Sequence, residues 1–152
     1  MNAYTENMPI LARAEELPQN AGYLEVVTLM AQELSDAVPG TDAAQVVRCA
    51  LEREACEATY VGRGMAVPHA RVPGLHKAMV YIARSRGGIT WQRGTATLVV
   101  LLAVPEECAE LHLQLLGQLM RWRLMQVTDE QSILAMLAAE LQASVAATLA
   151  AL

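Results

Sequence analysis

The chain has 152 residues, of which 54% are hydrophobic and 18% are charged. It is too apolar to be disordered, and its length suits a single domain over residues 1–152 with a core of its own. There is no Phe, so the core must be built mainly from aliphatic and Met side chains. A net charge of −5 disfavours nucleic acid as a partner, because binding to the phosphate backbone needs a positive face.

The spacing of the cysteines and the length of the apolar runs indicate the cellular compartment of the protein. Cys49, Cys56 and Cys108 form no CxxC pair, and an odd number without such a pair disfavours a disulfide framework or a zinc site. We therefore expect a reducing cytoplasm, and no signal peptide, because no apolar run follows a basic start. The longest apolar run, Leu98 to Pro105, is far shorter than the ~20 residues that span a bilayer, so it predicts a buried strand and no membrane insertion. The oligomeric state stays open.

Two amphipathic helices are predicted in the first third of the chain. The lead-in offers only a short apolar strand or turn at Met8 to Leu11. Apolar residues at spacings of three and four then predict a helix from about Tyr23 to Ala37, with Asn20 as its cap. A second helix is predicted to start at a Thr41 cap and to run through about Glu54.

The centre of the chain is punctuated by Gly and Pro and predicts strands rather than long helices. The first is Met65 to Val67, and the second is Ala78 to Ala83, which Gly87-Gly88 is expected to close. The third, Thr97 to Val104, is nearly all apolar, which is typical of a strand covered on both faces.

Helical periodicity returns after the third strand. It predicts a helix from about Glu106 to Leu124, a further helix capped by Thr128 or Asp129 that runs through about Glu140, and an Ala-rich tail helix over residues 143–152. Helices on either side of a strand-rich centre predict an α/β fold. We expect a three-layer α/β/α sandwich with a mixed central β-sheet flanked by helices.

His69 is the first candidate for chemistry, because neutral imidazole is abundant near pH 7 and is nucleophilic. It follows the segment Gly62-Arg63-Gly64-Met65-Ala66-Val67-Pro68, whose glycines allow tight turns and whose proline fixes the backbone before the ring. Arg63 and Arg71 lie close by in sequence, and an arginine with backbone N–H groups can bind an anion. The segment therefore predicts an imidazole held rigidly at a strand end, beside an anion site.

The pattern Gly-x-Gly-apolar-Ala-apolar-Pro-His at residues 62–69 resembles a phosphorylation-site signature. It is that of the enzyme IIA domains of the fructose, mannitol and nitrogen-regulatory type, from the bacterial phosphoenolpyruvate-dependent phosphotransferase system. The similarity covers roughly residues 21–140. Leu111 to Leu116 looks like the helix that carries the second active-site histidine of the family. Arg53 stands sixteen residues before His69, and His112 stands forty-three residues after it.

The resemblance implies a phosphoryl relay. The histidine matching His69 takes the group from the carrier HPr, or from a nitrogen-branch relative of HPr. It passes the group to a cysteine of a IIB domain, or the charge change serves as a signal to a regulated protein target. Arg53 and His112 would hydrogen-bond the phosphoryl oxygens, and loop N–H groups would add to the cradle. No metal or small cofactor is implied, since the group is carried covalently on His69, and no fused IIB or IIC domain is expected.

Other interpretations of the same residues stay open. Arg53 could merely complement the dipole at a helix C-terminus, and His112 could be a partly buried structural residue. Arg71 could contact phosphate, a partner or only solvent, while His76 is expected to be an exposed loop residue. A metal site formed by the three histidines is weakly supported, because no other ligand stands at a suitable spacing. A binding module that keeps the fold and relays no phosphate is the alternative function.

Overall fold

In a computed structural model, residues 3–108, 110–127 and 129–150 are described, and within them strands and helices build one mixed sheet with helices on both faces. The strands are β1 (Ile10–Ala12), β2 (Tyr60–Gly62), β3 (Met65–Ala66), β4 (His69–Val72), β5 (Met79–Trp91) and β6 (Gly94–Pro105). The helices are α1 (Tyr23–Ala37), α2 (Ala43–Cys56), α3 (Leu111–Arg121), α4 (Glu130–Ala135) and α5 (Ala138–Leu149), with a π-helical turn over Trp122–Gln126 after α3.

The sheet is organised around the long hairpin of β5 and β6. The strand order is β1-β5-β6-β3-β2, and β4 pairs with β6 beyond β3. The pairs β1–β5, β3–β6 and β4–β6 are parallel, whereas β5–β6 and β2–β3 are antiparallel. The predicted mixed sheet is therefore confirmed.

Side chains of β6 alternate between the two faces of the sheet and so contribute to two separate cores. Val99, Leu101 and Ala103 pack with the buried faces of α1 and α2, while Val100 and Leu102 pack with α3, the π-helical turn and α5. Because successive side chains of a strand point to opposite faces, one wholly apolar strand supplies both cores. This arrangement confirms the three-layer α/β/α sandwich and the prediction of a buried strand up to residue 105.

The first two helices lie close to their predicted positions, but both predicted caps are wrong. Helix α1 has the predicted bounds, yet its cap is Gly22, with no side-chain cap, and Asn20 lies before it at a φ of 63°. The cap of α2 is Asp42, whose carboxylate accepts the N–H of Gln45, and not Thr41. Asp and Thr are both good caps, so the choice between neighbours depends on backbone geometry that the pattern does not contain.

Strand β5 departs most from the sequence prediction. It does not end at Gly87-Gly88 but continues to Trp91, and its register with β6 shifts between Arg84 and Ile89. Gly88 adopts a φ of 82°, and its N–H donates to the Ser85 hydroxyl at 3.1 Å. The glycine pair therefore builds a bulge inside the strand, which is a common use of Gly in a β-hairpin.

The C-terminal helices are divided differently from the prediction. Helix α3 begins at Leu111 and not at Glu106, because the chain after β6 first makes a turn. Asp129 does cap α4, but α4 ends at Ala135, and α5 starts at Ala138 rather than at residue 143. Thr128 lies outside the described residues. No helix in the described part of the chain is long and apolar enough to cross a bilayer.

Candidate functional site

His69 is the first residue of β4, a short strand that pairs with β6 through the register His69–Leu102. Pro68 precedes it, and the carbonyl of Pro68 accepts the N–H of Leu102 at 2.9 Å. The side chain is 3% exposed, so the imidazole is held inside the protein rather than on a surface loop. The local backbone thus holds the ring in one place, as expected for a Pro-His step entering a strand.

One ring nitrogen of His69 is already engaged. Its Nδ1 lies 3.0 Å from the carbonyl oxygen of Val67. A carbonyl oxygen can only accept, so the hydrogen bond requires Nδ1 to carry the proton. The Nε2 atom then keeps its lone pair in the neutral ring and is the nucleophilic nitrogen.

His112 lies against His69. It is the second residue of α3, and the two imidazoles stack with their centroids 5.4 Å apart and their planes inclined by 20°. Its side chain is half-buried. The structure therefore brings together two histidines that are distant in sequence, at a separation from which both can contact one small group.

Arg53 approaches the same point from the last turn of α2. The side chain is half-buried, and one guanidinium nitrogen donates to the carbonyl of Glu57 at 2.8 Å. Its positive charge acts on the His69 ring. Arg53 lies in the last turn, where it complements the helix dipole, and its role towards a phosphoryl group stays a prediction.

The pKa of His69 is lowered from its ordinary value of 6.5, mainly because burial disfavours the charged ring. The hydrogen bond to Val67 and the negative charge of Glu54 raise the pKa, while the positive charge of Arg53 and the neighbouring His112 lower it. The balance keeps the imidazole neutral, and hence nucleophilic, at neutral pH.

Sequence reasoning missed a buried carboxylate behind the site. Glu54 is buried, and its oxygens accept from the Thr59 N–H at 2.7 Å, the Thr59 hydroxyl at 2.5 Å and the Trp91 Nε1–H at 3.2 Å. The signal was present in the pattern, because Glu54 continues the buried stripe of α2 through Val46 and Ala50 at steps of four. A carboxylate on the apolar stripe of a helix indicates a buried partner.

Comparison with known proteins identifies the family. The family model described as "Phosphoenolpyruvate-dependent sugar phosphotransferase system, EIIA 2" matches residues 19–150, most of the chain. The chain belongs to this EIIA family. The resemblance drawn from the Pro-His segment is therefore confirmed, and the chain is a component of the phosphotransferase system.

Individual relatives agree with this assignment. The fructose-specific EIIA component of Haloferax volcanii is 39% identical over 74 residues, which cover 47% of this chain and 48% of the relative. The matched stretch thus spans about half of that relative. Nitrogen regulatory protein IIA-Ntr from Neisseria meningitidis shares the fold, with a TM-score of 0.74 at 22% identity over 92% of this chain and 97% of its own.

A second solved structure with this fold is a complex of enzyme IIA-Mtl with phosphorylated enzyme IIB-Mtl from Escherichia coli. The match has a TM-score of 0.58 at 23% identity and covers 88% of this chain and 99% of the other. At such identities the likeness shows the EIIA fold alone.

The glycine turn of this EIIA chain lies between β2 and β3. Gly62, Arg63 and Gly64 take φ values of 101°, 51° and 77° in succession. The Gly64 N–H donates to the Tyr60 hydroxyl at 3.0 Å, and the Val67 N–H donates to the Thr59 carbonyl at 2.9 Å. These two amides are therefore engaged within the protein and do not form the expected phosphate cradle. The turn has a structural role, because it reverses the chain between β2 and β3, and β3 leads into Pro68 and His69.

The remaining candidates lie around the site or away from it. Arg71 is exposed on β4, donates to the carbonyl of Glu106 at 3.0 Å and, with Arg48 and Arg53, lines a groove of about 470 Å³. His76 is exposed, as predicted, and lines a different cavity. Within the described residues no group of three His, Cys, Asp or Glu side chains could hold a metal ion.

Proposed function

We propose that this EIIA protein is a phosphoryl carrier, with His69 as the acceptor. The single observation that supports this most directly is the contact between Nδ1 of His69 and the Val67 carbonyl, because it leaves Nε2 as the free nucleophile. In the transfer step, Nε2 forms a bond to phosphorus as the P–N bond of a donor phosphohistidine breaks. The donor ring, which is protonated on its other nitrogen before transfer, leaves with that electron pair as neutral imidazole, and the His69 ring keeps its Nδ1–H and takes over the positive charge.

Arg53 and His112 are proposed to stabilise the phosphoryl group. Charge in phosphoryl transfer is spread over the equatorial oxygens, and catalysis consists mainly of positioning and electrostatic stabilisation. A guanidinium donates several hydrogen bonds to such oxygens, and a stacked imidazole can donate one more. Both side chains act on the His69 ring from outside β4, one from α2 and one from α3. The oxygens of the incoming phosphoryl group would therefore accept hydrogen bonds from a side chain of α2 and from a side chain of α3.

The proposed donor is HPr or a nitrogen-branch relative of HPr, and the proposed acceptor is a cysteine of a IIB domain or a regulated protein target. A IIB acceptor is supported by the solved complex of a IIA-Mtl domain of this fold with phosphorylated IIB-Mtl. Fructose is one candidate sugar, from the matching stretch of the Haloferax volcanii relative. A regulatory role is supported by the shared fold of IIA-Ntr. The groove lined by Arg48, Arg53 and Arg71 is where we place the incoming partner.

The test is intact-mass spectrometry at neutral or alkaline pH, since phosphohistidine is acid-labile. The protein is incubated with phosphoenolpyruvate, enzyme I and HPr, beside His69→Ala. We expect a gain of one phosphoryl mass in the native protein and no gain in the variant. Equal labelling of the variant would overturn the assignment of His69. No labelling from HPr or from a nitrogen-branch donor, each shown to be phosphorylated, would favour a binding module that relays no phosphate.

A further inference from the structure

We propose that the buried carboxylate of Glu54 is a positioning residue for His69, acting through a relay of hydrogen bonds that ends on the Nδ1–H of the ring. The proposal rests on the role of His69 as phosphoryl acceptor. It adds a buried residue that touches neither the phosphoryl group nor the partner and that favours the positively charged form of the His69 ring.

Hydrogen bonds link Glu54 to His69 through the backbones of Thr59 and Val67. Both the N–H and the hydroxyl of Thr59 donate to the Glu54 carboxylate. The carbonyl of Thr59 accepts the Val67 N–H at 2.9 Å, and the carbonyl of Val67 faces Nδ1 of His69 at 3.0 Å. In Thr59, and again in Val67, the donating N–H and the accepting carbonyl belong to adjacent peptide groups joined at Cα, so the series transmits position from one residue to the next rather than polarisation through one amide. Glu54 therefore fixes the backbone of Thr59, which fixes Val67 and with it the carbonyl that accepts from Nδ1–H, while the negative charge of Glu54 acts on the ring through space.

The same carboxylate fixes the segment that follows α2. Trp91 of β5 donates to it, so Glu54 is held from the sheet as well as from Thr59. The carbonyl of Glu57, in this short segment, accepts the guanidinium of Arg53. Glu54 thus supports the backbone on which both the Nδ1–H of His69 and the guanidinium of Arg53 depend.

Charges facing the His69 ring come from two helices. Arg53 and Glu54 act from α2, and His112 acts from α3. Of these, Glu54 is the group that favours a positive ring, whereas Arg53 and His112 oppose it. When Nε2 becomes phosphorylated and Nδ1 keeps its proton, the ring is positive, so the carboxylate stabilises the product ring. Retention of the Nδ1 proton also keeps the ring a good leaving group, because it can depart as neutral imidazole when the phosphoryl group moves on.

Glu54→Gln separates charge from hydrogen bonding. A glutamine has the same shape, its carbonyl can accept from Thr59 N–H and from Trp91, and its NH₂ can donate to the Thr59 hydroxyl. We expect the His69 pKa, followed by NMR titration of the ring protons, to fall further. We also expect kcat for phosphoryl acceptance to fall about 5- to 20-fold with KM for phosphorylated HPr unchanged, the size of effect typical of one charge acting on a partly buried hydrogen-bonded group. Glu52→Gln, an exposed carboxylate on the same helix, is the matched control and should leave the His69 pKa in place.

Glu54→Asp retains the charge and provides the second variant, with folding of each protein checked by thermal unfolding. We expect its His69 pKa to lie closer to the native value than that of Glu54→Gln. An unchanged His69 pKa in folded Glu54→Gln, or an equal shift in Glu54→Asp and Glu54→Gln, would overturn the proposal. Failure of the native protein to accept phosphate would instead overturn the proposed function, because the titration needs no donor. The two failures are therefore distinguishable.

Discussion

The choice of nucleophilic atom in His69 is made by a backbone carbonyl and not by another side chain. The Val67 oxygen holds Nδ1, and the stacked ring of His112 lies on one face of the imidazole. A change of surrounding side chains that leaves β3 and β4 in place is therefore expected to leave this backbone contact intact. If His69 is the phosphoryl acceptor, side chains around the ring tune the rate of transfer, while the backbone fixes which nitrogen attacks.

His112→Ala is expected to slow onward transfer more than acceptance. In the proposed carrier, His112 would stabilise the charge that is spread over the phosphoryl oxygens in the transition state of onward transfer, so its loss should slow that step by about 10- to 100-fold. The measurement is rapid-quench transfer from the phosphorylated protein to a IIB domain, alongside acceptance from HPr. His76→Ala, at an exposed histidine in another cavity, is the control and should match the native protein. A larger effect on acceptance than on donation would contradict this role.

At the scale of elements, the bulge in β5 is specified by one glycine of a pair. Gly88 has a φ of 82°, and a Cβ placed there would lie 2.4 Å from Cγ2 of Thr95. A Cβ on Gly87 would meet nothing within 4 Å. The two adjacent glycines of this hairpin therefore differ in whether a Cβ fits. Substituting each in turn gives a matched comparison.

Gly88→Ala should destabilise the protein by about 2–4 kcal/mol, since it combines an unfavourable backbone conformation with a steric clash in a strand that supplies both cores. Gly87→Ala is the matched control and should change the free energy of unfolding by less than ~1 kcal/mol. Urea unfolding followed by circular dichroism measures both. Equal destabilisation by the two substitutions would show that the bulge is not what requires Gly88.

Hydrophobic periodicity predicts elements with an uninterrupted apolar pattern. It does not predict structure where the same local residues are compatible with two conformations or environments. Helix α1 was predicted with its observed bounds because one apolar stripe runs through it. Gly87-Gly88 predicts a strand end where the structure has a bulge, because glycine pairs end strands as readily as they form bulges. Glu54 was missed because a carboxylate on a helix is normally solvated, and its partners, Thr59 and Trp91, come from other elements.

For the molecule as a whole, the buried imidazole of His69 couples stability to pH. Its pKa is lower in the folded protein than the ordinary value of about 6.5 expected for the unfolded chain. The unfolded state therefore binds the proton first as the pH falls. The contribution of the neutral ring to stability is present above pH 6.5 and is lost progressively below it, until the pH passes the folded pKa.

Replacing His69 with Gln should flatten this dependence. We expect the melting temperature of the native protein to fall more steeply than that of His69→Gln between pH 6.5 and pH 5, as measured by differential scanning calorimetry. The difference between the two curves isolates His69 from the carboxylates that also titrate in acid. His76→Gln, at an exposed position, should follow the native curve. Parallel curves for the native protein and His69→Gln would contradict the lowered pKa.

The residues around the proposed acceptor come from segments far apart along the chain. Arg53 lies in the last turn of α2, His69 begins β4 and His112 lies in the first turn of α3, so the constellation depends on the packing of both helical layers against the sheet. A denatured chain has no such constellation. If His69 is the acceptor, incorporation of label therefore doubles as a conformational assay. Its loss on heating should coincide with global unfolding and not with the fraying of any one segment.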